Sequence, residues 1–153
     1  MTKIRIKNFG PIKEGYREND GWMDVKKVTV FIGYQGSGKS TVAKLISVFM
    51  WLEKALIRGD IKAPVSHVDF IELFSFHRVQ DYLEPNSEIE YIGNNYHLIL
   101  TNIQNSNKKT IKVKKLNTKT VRLPKIMYVP AERNFLSSIP NINKVSDFVV
   151  GSL

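Results

Sequence analysis

The pattern of apolar and polar residues along the chain predicts a succession of strands and helices. Polar and apolar residues alternate in Lys3–Lys7, which is typical of a half-buried strand. The segment Val28–Ile32 is rich in β-branched and apolar residues, which indicates a buried strand. From Val42 to Leu56 the apolar residues recur at helical spacing, and Gly59 marks the end of that helix.

The second half of the chain continues with one helix and several short strands. A helix is predicted over His67–Leu83, and strands are predicted over Glu88–Ile92, Tyr96–Ile103 and Lys109–Leu116. Short turn-forming segments separate these three strands, so an antiparallel meander is expected. Lys125–Val129 predicts one more buried strand. The predicted fold class is therefore α/β, with a strand–loop–helix unit beside an antiparallel meander.

The loop between the strand at Val28–Ile32 and the first helix contains the pattern G-x-x-x-x-G-K-S. In such a loop, glycines allow consecutive backbone N–H groups to point at phosphates, and the helix N-terminus adds its positive dipole. Lys39 would provide charge to the β- and γ-phosphates, and Ser40 would provide a hydroxyl to Mg²⁺. The alternative is a glycine-rich turn that only caps a helix. The expected nucleotide contacts are Gly33, Tyr34, Gln35, Gly36, Ser37, Gly38, Lys39, Ser40 and Thr41.

Length and composition set limits on the class of protein. The chain of 153 residues favours a single domain over residues 1–153, and it has no cysteine for a disulfide framework. Charged residues alternate with apolar ones at the N-terminus, so no signal peptide is predicted. No apolar run approaches the length of a membrane span. These features predict a cytoplasmic protein with no membrane partner.

The positive charge is concentrated in one part of the sequence. The net charge is +9, and residues 91–131 contain eight basic residues and no Asp or Glu. Such a segment could neutralise several phosphates of a nucleic acid, with DNA as the predicted partner. The alternative is a solvated outer face of the meander, where lysines protect a sheet edge. The predicted nucleic-acid contacts are Lys108, Lys109, Lys112, Lys114, Lys115, Lys119 and Arg122.

Three segments together resemble a known family. The strand and turn at Ile4–Pro11, the strand and loop at Val28–Thr41, and the stretch Tyr128–Arg133 resemble ABC-type ATPases of the SMC, RecF and RecN group. They also resemble bacterial AAA-labelled ATPases of the overcoming-lysogenization-defect type. The resemblance implies binding and hydrolysis of ATP with Mg²⁺, coupled to DNA repair or phage defence. It also implies that this chain is the N-terminal lobe of a larger ATPase head.

The chain departs from the family pattern at two motifs. Pro130 and Ala131 stand where the acidic residue of a Walker B segment is expected, and only Glu132 follows. The signature motif of the family is absent as well. The resemblance then implies that a second head or a missing C-terminal half completes the catalytic set. We expect Lys39 and Glu132 to be the catalytic residues here, and the chain alone to be nearly inactive.

Two further classes of function stay open on the sequence. The loop pattern also suits a small-molecule kinase or a GTPase, although the guanine-reading pattern N-K-x-D is not found; Asn143-Lys144-Val145-Ser146 ends in the wrong residue. The basic segment would suit a nucleic-acid-binding module that uses a nucleotide as a switch.

Overall fold

Five strands form one antiparallel sheet, and two α-helices pack against one of its faces. The computed structural model describes residues 2–101, 110–117 and 123–127. The order of strands across the sheet is β2-β1-β3-β4-β5. The elements are β1 (Thr2–Phe9), β2 (Trp22–Val25), α1 (Lys39–Arg58), α2 (His67–Phe76), β3 (Leu83–Ile92), β4 (Tyr96–Thr101) and β5 (Thr110–Lys115).

The predicted α/β fold of the P-loop type is wrong. Every pair of neighbouring strands in the sheet is antiparallel, and the sheet contains no strand from the segment before the glycine loop. Val28–Ile32 has no regular secondary structure, and Val28, Val30 and Ile32 are 77%, 73% and 93% exposed. The predicted meander of β3, β4 and β5 does form.

The segment Val28–Ile32 does not form a strand because no other strand lies beside it to pair with. A β-prone segment becomes a strand only where another strand supplies ladder hydrogen bonds and a face to bury it. After β2 the chain turns, since the Lys26 N–H donates to Thr29 Oγ1 over 3.0 Å, and it then leaves the sheet. A strand was also predicted at Lys125–Val129. In its described part, Lys125–Met127, the chain is coil and Met127 is exposed, so that part forms no strand.

Helix α1 confirms the helical period from Val42 to Leu56. Its buried side chains include Val42, Leu45, Phe49 and Leu52, which recur every three or four residues and form one apolar stripe. The helix ends where Gly59 takes a left-handed φ of 81° and donates its N–H to the Ala55 carbonyl. No helix in the described part of the chain is long and apolar enough to cross a membrane.

Helix α2 is shorter than the predicted span His67–Leu83. It begins after Ser66, whose hydroxyl accepts from the Asp69 N–H, and it ends at Phe76 because Arg78 takes a left-handed φ of 51°. Strand β3 starts at Leu83, five residues before the predicted start. The turn that was predicted between β3 and β4 lies at Gly93–Asn95.

The core lies between the sheet and the two helices. Alternate residues of β1, β3 and β4 face α1, so their side chains are fully buried. Aromatic rings join the layers: Phe49 of α1 stacks on Tyr91 of β3 with ring centroids 5.8 Å apart, and Phe74 of α2 meets Phe9 of β1 edge-to-face, also at 5.8 Å. The buried members of these strands are Ile4, Ile6, Phe9, Ile89, Tyr91, Leu98 and Leu100.

One carboxylate is buried inside this core. Glu53 of α1 is fully buried and accepts hydrogen bonds from the Tyr91 hydroxyl at 2.9 Å, the Asn95 N–H at 2.6 Å and the Tyr96 N–H at 3.3 Å. Burial, together with the adjacent Glu53 carboxylate, raises the pKa of Tyr91 far above its usual value, so the phenol stays protonated as a donor. These hydrogen bonds hold the turn after β3 against α1, five residues before the last residue of the helix.

The turn can approach Glu53 so closely only because residue 93 is glycine. A Cβ at Gly93 would lie 2.1 Å from Glu53 Oε2, well inside van der Waals contact. We therefore expect Gly93→Ala to lower the free energy of unfolding by about 1–3 kcal/mol, as overpacking does in a core. Urea denaturation followed by circular dichroism measures the change. Asn94→Ala in the same turn, where the side chain is exposed, is the matched control and should change stability little. Equal midpoints for Gly93→Ala and the parent chain would contradict this role of Gly93.

Candidate functional site

The glycine loop closes over the side chain of its own lysine. Lys39 Nζ donates to the Gly33 carbonyl at 2.7 Å, to the Tyr34 carbonyl, and to Ser37 Oγ at 3.3 Å. The Ser37 N–H donates to the Tyr34 carbonyl at 3.3 Å, which forms the turn at the tip of the loop. The loop is exposed from Ile32 to Ser37, so the ammonium group is held at the surface by neutral oxygen atoms.

Lys39 is also the first residue of helix α1. Its first intrahelical bond runs from the Val42 N–H to the Gly38 carbonyl at 2.9 Å, so the N–H groups of Lys39, Ser40 and Thr41 have no partner within the helix. Gly38 is the N-cap and offers no side-chain acceptor, and the first turn contains no acidic residue. The positive end of the helix dipole is therefore not compensated by a side chain of the helix itself.

Backbone conformation or close packing favours glycine at three positions of the loop. Gly36 and Gly38 have φ values of 78° and 86°, a left-handed conformation that other residues adopt at a cost. Gly38 is also buried against Ile12, and a Cβ there would lie 2.7 Å from Ile12 Cγ1. At Gly33 a Cβ would meet Ser37 Oγ at 2.9 Å, so a side chain would crowd the inside of the loop.

An open cleft of about 740 Å³ leads from Lys39 to the edge of the sheet. One wall is the segment 28–34, and the other is β2 with the residues that precede it. The residues of this second wall include Tyr16, Glu18, Trp22 and Asp24. A hydrogen bond from the Tyr16 hydroxyl to Glu18 at 3.0 Å, together with the charge of that carboxylate, raises the pKa of Tyr16.

The structure brings together part of the predicted site. Lys39, Gly33, Tyr34 and Ser37 are in contact, and Ser40 is exposed at the start of α1, whereas Thr41 is buried. The predicted catalytic residue Glu132 lies outside the described residues. No group of three or more His, Asp or Glu side chains that could hold a metal ion occurs in residues 2–101, 110–117 and 123–127.

The basic residues predicted for nucleic acid are only partly described. Lys112 and Lys114 are exposed on β5, with Lys115 exposed at its end. Lys108, Lys109, Lys119 and Arg122 lie outside the described residues.

Sequence reasoning did not identify the wall of the cleft formed by Tyr16, Glu18, Trp22 and Asp24. These residues form no motif, and the pairing of β2 with β1 determines where they lie. Comparison with protein-family models, with curated proteins and with solved structures finds no match to this chain, so its function has to be argued from the site.

The contact between Gly38 and Ile12 gives a direct test of the loop geometry. Gly38 and Gly59 lie at opposite ends of α1 with nearly equal φ values, but only Gly38 has a neighbour within 4 Å of its Cβ position. Gly59→Ala should cost about 1–2 kcal/mol of stability for the left-handed backbone alone. Gly38→Ala should cost about 1–3 kcal/mol more because Ile12 is overpacked. Urea denaturation of both variants measures the difference, and equal costs would contradict the close approach.

Proposed function

We propose that this chain binds a nucleoside triphosphate, ATP, together with Mg²⁺ at the loop Gly33–Thr41. The observation that carries the proposal is the position of the Lys39 ammonium group, which the loop surrounds at the uncapped N-terminus of α1. A cation beside the unpaired N–H groups of a helix N-terminus forms a site for an anion of high charge. A turn that only caps a helix has no need of this lysine.

Binding would exchange the partners of Lys39. In the structure its ammonium group donates to neutral carbonyl and hydroxyl oxygens. A hydrogen bond to a charged phosphate oxygen is about twice as strong as one to a neutral oxygen. A phosphate would therefore displace these oxygens from Lys39. The freed loop could then turn its N–H groups toward the ligand. Two glycines with positive φ, Gly36 and Gly38, permit such a rearrangement at low cost.

The Mg²⁺ ion that accompanies a triphosphate fits the residues that are present. Mg²⁺ prefers oxygen ligands and keeps several waters, so a single hydroxyl from the protein is sufficient. Ser40 is exposed and adjacent to Lys39, so it is the residue that would hold the ion. The ion would neutralise charge on the phosphates. The cleft that leads away from Lys39 leaves space for the nucleoside beside Tyr16.

Other enzymes with the same loop remain alternatives. A small-molecule kinase or a GTPase would bind phosphates in the same way. The relationship to SMC-, RecF- and RecN-like ATPases, and a role in DNA repair or phage defence, rest on the sequence resemblance alone and stay predictions. Competition between ATP and GTP for the site distinguishes the first two classes from the proposal, because a GTPase would prefer GTP strongly.

Variants of the loop test nucleotide binding. Lys39→Ala should weaken binding of ATP-Mg²⁺ at least about tenfold, since the phosphates lose a charge-assisted hydrogen bond. Titration calorimetry measures the change. Lys44→Ala, which removes an equal charge from the same helix away from the cleft, should bind as the parent does. Ser40→Ala should weaken binding with Mg²⁺ more than binding in EDTA. Parent-like ATP-Mg²⁺ binding by Lys39→Ala would exclude the proposal.

Hydrolysis by the chain alone is expected to be slow. The carboxylates that line the cleft within the described residues are Glu18 and Asp24, and Glu18 is hydrogen-bonded to Tyr16. Rapid phosphoryl transfer also needs an oriented water and further positive charge at the transferred group, which in other enzymes contributes about 10³–10⁵ in rate. We propose that a second ATPase head supplies these groups.

A phosphate-release assay on the purified chain measures this activity, with Lys39→Ala as background. We expect turnover far below about 1 s⁻¹, a low value for an enzyme. Lysine-dependent turnover at or above that rate would show that the catalytic set is already complete, and Asp24→Asn and Glu132→Gln would then identify the base.

A further inference from the structure

The outer face of the sheet, which points away from α1 and α2, carries a group of basic and apolar side chains. Antiparallel register places the side chains of neighbouring strands in rows across this face. None of the residues in these rows belongs to the buried core cluster. The first row is Asp24, Lys3, Ile92, His97 and Lys114, and the second row is Trp22, Arg5, Glu90, Ile99 and Lys112.

Of the acidic residues on this face, Asp24 lies on the edge strand β2, Glu88 lies opposite Lys7, and Glu90, near the centre, is already paired. Glu90 forms an ion pair with Arg5, and His97 Nε2 lies 2.7 Å from Glu90 Oε1. In contrast, Lys112 and Lys114 are exposed and take part in none of the ion pairs found among the described residues. Positive charge on this face is therefore available at β5 to a negatively charged partner.

Apolar surface lies between these charges. Ile92 and Ile99 are partly exposed on the two central strands, although they point away from the core. At the far edge, Trp22 has Lys3 Nζ 4.4 Å and Arg5 Cζ 5.0 Å from its ring centroid. An aromatic ring next to cations suits a nucleic-acid base and its phosphate better than it suits a wholly polar ligand.

We propose that this outer face binds single-stranded nucleic acid. Its five strands span about 19 Å at roughly 4.8 Å per strand, and cations two residues apart along a strand are separated by about 7 Å. A single strand can follow such a flat face, with phosphates at the lysines of β5 and bases over Ile99 and Trp22. A duplex is convex and presents no bases to stack. The lysines of β5 lie at the opposite edge of the sheet from β2, the strand that borders the cleft beside Lys39.

The binding of a fluorescent oligo-dT of 20 nucleotides tests the proposal in fluorescence anisotropy without ATP. The parent chain should bind it, and Lys112→Glu/Lys114→Glu should weaken binding at least about tenfold at low salt. Loss of two phosphate contacts should also reduce the slope of log K against log salt by about 1.4, at roughly 0.7 per contact. The matched control is Lys44→Glu/Lys54→Glu, which changes charge equally on α1, the helix packed on the other face of the sheet, and should bind nearly as the parent does.

Three results would overturn the proposal. The first is absence of binding by the parent chain. The second is equal weakening by the two double variants, which would indicate attraction by net charge alone. The third is loss of binding in Lys39→Ala, which would place the phosphates at the loop. A duplex that binds as tightly as oligo-dT, with the same dependence on Lys112 and Lys114, would overturn the assignment to single strands.

A second readout separates binding at this face from unfolding of the variants. The chain has two tryptophans, so Trp51→Phe leaves Trp22 as the reporter. Oligo-dT should quench its fluorescence if bases reach the sheet. Lys112→Gln/Lys114→Gln, which removes charge without adding any, should bind with intermediate affinity and melt close to the parent. Binding without any change in Trp22 fluorescence would contradict stacking at this edge.

Discussion

The buried carboxylate of Glu53 is the contact on which the arrangement of helix and sheet depends. Transfer of a charged group into a protein interior costs several kcal/mol unless donors replace its water. Here Tyr91 and the backbone of residues 95 and 96 supply those donors, all from one turn and its flanking strands. Because a rotation or shift of α1 would leave the charge without partners, the carboxylate fixes both the register of the helix and the course of the turn. The absence of a side chain at Gly93 follows from the same contact.

This anchor also fixes the direction in which the loop is presented. Lys39 lies fourteen residues before Glu53 on the same helix, which corresponds to about 21 Å at 1.5 Å per residue. The helix is packed on the sheet between these points, so its N-terminus is held in place although the loop before it is exposed. The helix N-terminus holds its dipole and the Lys39 charge in a fixed position. The exposed loop before it has backbone that can move toward a ligand. The arrangement therefore suits recognition of an anion through N–H groups.

The sequence predicted those parts of the fold that depend on local pattern. The helical period from Val42 to Leu56, the alternation in β1 and the turn residues at Gly93–Asn95 each identify an element from its own residues. The contact between Glu53 and the turn could not be predicted, since it joins residues about forty positions apart and a glutamate in an amphipathic helix usually faces water. In the candidate site, the glycine loop was evident from its motif. The opposing wall at Tyr16 and Trp22 depends on strand pairing, which no short pattern specifies.

The failed strand at Val28–Ile32 bears directly on how the loop is held. Without a ladder, this segment is not fixed by the sheet, and the hydrogen bonds found for residues 33–37 are the three from Lys39 Nζ and the turn from Ser37 to Tyr34. The ammonium group is thus the link between the exposed coil and α1. A ligand that takes this ammonium group as its partner removes the link at the same time. Binding of a phosphate at the loop would therefore change how the apolar segment Val28–Ile32 is held, through the Lys39 side chain alone and without any rearrangement of the core.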